Sequence, residues 1–384
     1  MKRIQYHRYG GPEEMRLETY QLPAPGRDEI AVRVSASSIN PVDWKIRQGA
    51  MKFMTGWRFP RAMGLDFSGV VESVGPGVTR FTAGDEVFGT VPMKPSGAFA
   101  QTLVTKENLA VKKPPAISHE AAATLPVAGV TAWQGLVQKG HLKQGQAVFV
   151  NGAGGAVGQA VVQIAKLLGA SVTGRVGPNS FSDAKAMGID PVLDYTQKIP
   201  PGLNRKYDIV FDCNGALTPS EGDALIRRGG VVLDINPTAR KFIRSLYSRR
   251  HKFFFGTQQV ESLQTIAEFA ASGKLKITIG RTAKLDDAIV LITDLETGRR
   301  THGKAIIVMT CAACGDRPWS VRARQSQAFG NRIAHHLVRD GGNPQYSMIA
   351  PVALHVGLSR VTHAAQYLNA EVSRLDRVFG TNHF

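Results

Sequence analysis

The sequence predicts an α/β protein built from a barrel-like, mostly antiparallel β domain, a doubly wound parallel sheet and an extra C-terminal tail. Three observations carry this. In residues 147–158, AVFVNGAGGAVG, an apolar β-branched strand runs straight into glycines, and the following QAVVQIAKLLGA repeats its apolar positions with helical period. Strand and helix patterns then alternate as far as residue 310, as βαβ units with right-handed crossovers do. Ahead of them, residues 1–125 hold short β-patterned runs cut by turn chemistry.

Taken in order, EIAVRVSASSIN (29–40), FSGVVESVG (67–75) and GAFAQTLVT (97–105) read as strands. PAPGRDE, GPGVTRFTAGDE and PMKPSG supply the turns between them. HEAAATLPVAGVTAWQGLVQKG reads as one helical crossover, with Ser118 as N-cap and Glu120 close behind. After the glycine-rich turn come the strand ASVTG, a helix in FSDAKAMG, and the strands PVLDY, YDIVFDCNG and GGVVLDINP. VESLQTIAEFAASG is a further helix, and ITIG, DDAIVLITDLETG and GKAIIVMT supply strand, helix and strand that return the chain to the first domain. The implied divisions are 1–125 and 259–310 for the first domain, 126–258 for the nucleotide-binding domain, and 311–384 for the tail.

Composition narrows the class. A chain of 384 residues with 43% apolar content and 40 glycines is long enough for two domains of α/β type. No run of about eighteen apolar residues is present, so no spanning helix and no membrane partner is expected. The opening MKRIQYHRYGGPEEM lacks an apolar core, so no secretory signal is expected and a cytoplasmic location follows. Cys213, Cys311 and Cys314 are too few for a disulfide framework. The net charge of +17 is spread along the chain without a long basic block, which reads as a solvated basic surface rather than a nucleic-acid face. ARKFIRSLYSRRHKFFFG (239–256) reads likewise as a basic surface helix leading into a strand.

The glycine-rich turn is the strongest functional signal. Gly152, Ala153, Gly154, Gly155, Ala156, Val157 and Gly158 lie between strand and helix, where backbone N–H groups and the helix N-terminus hold a pyrophosphate. The spacing is Gly152-x-x-Gly155-x-x-Gly158, with Val157 where the last glycine of GxGxxG would fall. NAD-specific sites place an acid after the second strand; here Arg175-Val176-Gly177-Pro178 follows ASVTG, and Arg175 suits a 2′-phosphate. NADPH is the cofactor expected.

The ordered motifs SSINPVDWKIRQG, FPRAMGLDFSGVVESVGPGVTRFTAGDEVFG, AAATLPVAGVTAW, VLDYT, YDIVFDCNG, LIRRGGVVLDI and THGKAIIV, with the glycine turn, are similar to a known family. Over residues 1–310 the chain resembles zinc-free medium-chain dehydrogenase/reductases of the quinone oxidoreductase, zeta-crystallin-like branch. The resemblance implies a GroES-like catalytic domain and a Rossmann domain with the cofactor between them. It implies reduction of quinones or of the C=C bond of α,β-unsaturated carbonyls with NADPH, and a homodimer. It also leaves open a non-catalytic NADPH-binding or RNA-binding zeta-crystallin-like protein, or an alcohol dehydrogenase-like carbonyl reductase.

Zinc-using relatives carry Cys where this chain has Asn40 and Gly-His-Glu where it has Gly64-Leu65-Asp66, and their four-cysteine lobe has no counterpart in PMKPSGAFA (92–100). No metal is therefore expected, since a catalytic zinc takes about three protein ligands. Carbonyl reduction passes through a basic alkoxide that zinc stabilises; conjugate reduction makes a delocalised enolate that hydrogen-bond donors stabilise. By resemblance, Asn40 donates to a substrate oxygen; read from its neighbours alone, Asn40-Pro41 reads also as a turn in which the side chain bonds local backbone. Asp43 orients Asn40 or Lys45 or sits in a turn. Tyr195 matches a position at the 2′-phosphate, and Thr131 and Asn214 match positions near the nicotinamide and pyrophosphate; these two read equally as cap or turn residues. Cys213 either lines the pocket or is a buried inert thiol. Residues 311–384, with eight Arg and no Lys, read as an appendage outside the catalytic unit.

Overall fold

A computed structural model of the protein describes residues 1–236, 247–248, 250–299 and 301–309. The expectations for the basic run at 239–246 and for the tail at 311–384 lie outside these residues.

The first domain begins with β1 (Lys2–Tyr6), β2 (Arg16–Thr19), β3 (Glu29–Ile39), β4 (Arg61–Ala62), β5 (Asp66–Val74), β6 (Glu86–Thr90), β7 (Thr102–Lys106) and β8 (Ala110–Lys112). Two short helices, α1 (Pro41–Arg47) and α2 (Lys52–Thr55), lie between β3 and β4. Strand β1 pairs antiparallel with β2 and β4, and β3 pairs antiparallel with both β5 and β7. Alternate residues of β3, β5 and β6 bury Ile30, Val32, Val34, Phe67, Val71 and Val87 in one apolar core. This is the GroES-like domain.

The crossover splits into α3 (His119–Ala123) and α4 (Pro126–Trp133), followed by a wider helical turn at Gln134–Lys139. Ser118 caps α3 as expected, its hydroxyl accepting from Ala121 N–H at 3.2 Å. The expected single helix breaks because Pro126 has no N–H to continue it and disfavours helical geometry just before itself.

The second sheet has six strands: β9 (Ala147–Asn151), β10 (Ser171–Val176), β11 (Val192–Asp194), β12 (Tyr207–Asp212), β13 (Ile226–Asp234) and β14 (His251–Phe253). All pair in parallel, in the order β11-β10-β9-β12-β13-β14. That is the Rossmann arrangement, with its reversal of direction between β9 and β12, and ligands bind at such a point beyond the strands' carboxyl ends. Helices α5 (Ala156–Leu167), α6 (Phe181–Ala186), α7 (Pro219–Leu225) and α8 (Val260–Ala271) cover the sheet, and Val148, Val150, Ile164, Ile209, Phe211 and Ile266 are fully buried between the layers.

The chain then returns through β15 (Ile279–Lys284), α9 (Ala288–Glu296) and β16 (Lys304–Val308). Strand β16 pairs antiparallel with β3 and parallel with β15, closing the first domain's sheet. The strand expected at 277–280 begins two residues later and runs on to Lys284.

Candidate active site

The glycine turn joins β9 to α5. Gly152 has φ of +85°, a conformation glycine adopts without strain, and its N–H and that of Ala153 both donate to the Arg175 carbonyl. A Cβ at Gly158 would lie 2.2 Å from the Gly152 carbonyl oxygen, so this glycine lets helix and turn pack together. Gly155 is different: it precedes α5 in extended geometry, and a Cβ there would meet nothing closer than 3.5 Å. The space beside Gly155 is open, and the first-turn N–H groups of α5, at Ala156, Val157 and Gly158, have no helical acceptors. This cradle fits the pyrophosphate of a dinucleotide.

Polar strand ends frame the cradle. Asn151 and Asp212, both 1% exposed, close the apolar runs of β9 and β12. Asn151 Nδ2 donates to Asp212 Oδ1 at 2.8 Å and to Asn214 Oδ1 at 2.7 Å. The Asn214 side chain thereby stands beside Gly152, 3.5 Å from where that residue's Cβ would be. Asn236 Nδ2 donates to the Asn214 carbonyl at 2.8 Å. From the other domain, Lys45 Nζ on α1 donates to Asn236 Oδ1 at 2.5 Å. A hydrogen-bonded chain thus crosses the cleft from α1 to the glycine turn. Burial holds the Lys45 ammonium below its ordinary pKa, and nearby Asp234 pulls the other way.

Arg175 stands at the end of β10. Its Nη2 donates to the carbonyls of Tyr195 and Gln197 at 2.8 and 3.0 Å, while Nε is buried without a partner. The guanidinium is thus fixed to the loop that presents Tyr195, and the Tyr195 ring lies against Gly177. Ser180 faces Gly154, and its hydroxyl meets His302 Nδ1 at 3.0 Å, a second contact between the domains. Thr131 is buried on α4 against the backbone of Gly256. The Cys213 thiol is pushed well above its usual pKa by burial, with Asp212 and Asp234 adding to the effect, which matches the inert-thiol reading.

The first domain contributes a buried polar cluster. Asn40 Nδ2 donates to Asp66 Oδ2 at 2.9 Å and, at 3.4 Å, to the Ser38 carbonyl; its Oδ1 accepts from Lys304 Nζ. Asp66 also accepts from the Ser38 hydroxyl at 2.8 Å and from Val127 N–H, the start of α4, at 3.0 Å. Asp43 Oδ2 accepts the Asn40 backbone N–H at 2.7 Å, whereas its Oδ1 is buried without a partner. Burial raises the Asp43 pKa to about 8, with Asp66 adding to the rise. Burial likewise raises Asp66 and lowers Lys304.

This arrangement corrects one expectation. Asn40 is 3% exposed and its carboxamide is engaged at both ends, so in this structure it does not offer a donor to a substrate. Asp43 meets the backbone N–H of Asn40 and not its carboxamide. The sequence reading missed Lys304 and underused Asp66. The signals were a lysine opening the apolar run KAIIV, and an acid at the head of β5. It also missed Asn151, the last residue of β9, and Asn236, two residues beyond the end of β13, both at the carboxyl ends of parallel strands where ligands bind. Among the described residues no group of three or more His, Cys, Asp or Glu side chains is placed to hold a metal ion.

Family models match in two places: the alcohol dehydrogenase GroES-like domain over residues 26–115, and the zinc-binding dehydrogenase over residues 187–307. The chain is 34% identical to a chloroplastic quinone-oxidoreductase homolog of Spinacia oleracea, over 62% of this chain and 75% of that protein. It is 33% identical to a chloroplastic NADPH-dependent alkenal/one oxidoreductase of Arabidopsis thaliana, over 72% of this chain and 71% of that one. Among solved structures it resembles the quinone oxidoreductase from Coxiella burnetii, with TM-score 0.73 and 28% identity, covering 81% of this chain and 99% of that chain.

Proposed function

The chain belongs to the quinone oxidoreductase branch of the medium-chain dehydrogenase/reductases, and from that premise we propose that it is an NADPH-dependent, zinc-independent reductase of quinones or α,β-unsaturated carbonyls. The observation that carries the reading is the cluster at Asn40. Where metal-using relatives have ligands, this chain has a lysine ammonium set between an amide and a carboxylate. A metal would have to displace Lys304 and would meet only two carboxylates, Asp43 and Asp66, where a catalytic zinc takes about three protein ligands. The glycine cradle fits NADPH, which when bound supplies a hydride to the quinone or to the β-carbon of an enone.

The chain's own residues do the rest. The open N-terminus of α5 binds the pyrophosphate, and Arg175 with Tyr195 receives the 2′-phosphate. Lys45, on α1 and bonded across the cleft to Asn236, is our candidate cation for the oxyanion that forms on the substrate, and burial, which lowers its pKa, favours release of its proton. Asn40, Asp43, Asp66 and Lys304 position the first turn of α1 and therefore Lys45.

The test is turnover of a quinone and enone panel with NADPH and with NADH, before and after exhaustive treatment with a chelator. NADPH preference and chelator resistance are expected. Arg175→Ala should weaken NADPH by about 1.5–3 kcal/mol, the range for a hydrogen bond to a charged group, and leave NADH unchanged. Equal use of both cofactors by the wild type would remove the role given to Arg175. Activity lost to the chelator and restored by zinc would overturn the metal-free reading.

A further inference from the structure

The stretch from Trp44 to Leu65, which holds the second half of α1 and all of α2, has five basic residues and no acidic one, interleaved with aromatic side chains and methionines; Asp43, just before it, is buried. Three of the five have inward partners: Lys45 meets Asn236, Arg47 is buried against Glu296, and Arg61 donates to the Thr55 carbonyl. Lys52 and Arg58 remain at the tip, and Lys94 Nζ lies beside Gly56. At the same tip Phe53 is 87%, Trp57 60% and Met54 59% exposed. Large apolar side chains gathered together in water mark a surface that meets something else.

The tip stands on a packed base. Tyr9 meets Trp57 edge to face with centroids 6.2 Å apart and Phe59 at 5.1 Å, and its hydroxyl donates to the Gly56 carbonyl. The Thr55 hydroxyl donates to the Met51 carbonyl at 3.0 Å. The aromatic side chains are therefore held out from the body by contacts beneath them.

We propose that this tip docks on an anionic lipid surface, with Phe53, Met54 and Trp57 entering the boundary between headgroups and acyl chains and Lys52, Arg58 and Lys94 facing lipid phosphates. Aromatic rings with basic neighbours suit that boundary. Nucleic acid, the other polyanion, fits less well. Base stacking needs open ring faces, whereas the Lys52 ammonium lies over the Phe53 and Trp57 rings at 5.8 and 5.1 Å. Those two rings also stand perpendicular, at 89°. No helix among the described residues is long and apolar enough to cross a membrane, so this is surface contact. The expectation of no membrane partner rested on the absence of a spanning segment, which does not bear on such contact. The benefit of docking, though not the docking itself, rests on the proposed function: lipophilic quinones and enones partition into bilayers, and α1 leads from the tip into the cleft.

The experiment is co-sedimentation of the full chain with phosphatidylcholine vesicles, with and without a one-third fraction of phosphatidylglycerol. Binding to the anionic vesicles is expected. Phe53→Ser with Trp57→Ser should weaken it by roughly tenfold or more, and Lys52→Glu or Arg58→Glu by about fivefold each. Melting curves establish that each variant is folded. Trp57 is one of four tryptophans, so a blue shift on vesicles that Trp57→Phe abolishes while sedimentation persists would place this ring in the lipid. Sedimentation that the tip variants leave unchanged would overturn the proposal, as would binding to single-stranded RNA but not to vesicles. So would a dimer that only the tip variants dissociate, with no vesicle binding. Turnover of a water-soluble quinone is measured alongside, so failure of docking and failure of the enzymatic reading are separate results.

Discussion

Single residues divide the work of the cleft more finely than motif spacing implies. Gly155 and Gly158 look equivalent in sequence, yet only Gly158 is needed by the fold itself. Gly155→Val should leave the circular dichroism and melting curve near wild type and abolish NADPH binding, because its Cβ enters open space in the cradle. Gly158→Ala should also lower the melting temperature, by the equivalent of about 1–3 kcal/mol for an overpacked site. Unaltered NADPH affinity in Gly155→Val would reduce the cradle to a plain turn. Asp43 supports a second prediction. Its pKa is raised in the fold to about 8, so between the unfolded value near ~4 and the folded value the native state holds a proton the unfolded chain has released. The native state binds more protons there, so stability should fall as pH rises through that window. Asp66 and Lys304 face the same cluster and share the titration. Melting temperature against pH should slope downward in the wild type and be flatter in Asp43→Asn. Parallel slopes for the two proteins would show that the burden lies on Asp66 instead.

At the scale of elements, the sequence was most legible where burial imposes a pattern. Strands β9 and β12 and helix α5 are buried on the sheet's faces, and their apolar runs announce them without tertiary information. Strand β15 shows the opposite. Among the described residues it is an edge strand, paired with β16 alone, and IGRTAK is mostly exposed, so no alternation marks it and its start was read early. The helix break before Pro126 was written in the residue itself, but the continuous apolar run around it concealed the interruption. The cluster at Asn40 was legible only in part. Asn40 and Asp43 were visible as candidates and Asp66 only as the occupant of a zinc-ligand position, but Lys304 lies 264 positions from Asn40 and arrives through the antiparallel pairing of β16 with β3. No local pattern carries that meeting, so the direction of the Asn40 amide could not be read from its neighbours.

For the whole molecule, β16 closes the first sheet by Val308, and the Coxiella burnetii structure is matched over 99% of its length by 81% of this chain. A chain ended after Thr310 should therefore fold, melt within a few degrees of full length and keep its NADPH turnover. Failure to fold, or loss of most turnover, would mean that residues 311–384 belong to the catalytic unit. The order of the sheets has one more consequence. The parallel sheet is inserted into the first domain's sheet, entered after β8 and left before β15. A body tethered at a single point can swivel in any direction, but one held by two covalent crossings retains a single easy degree of freedom, rotation about the line that joins them. Any opening of the cleft is thereby limited to a hinge rotation. Lys45 with Asn236, and Ser180 with His302, are contacts that such a rotation would have to break together.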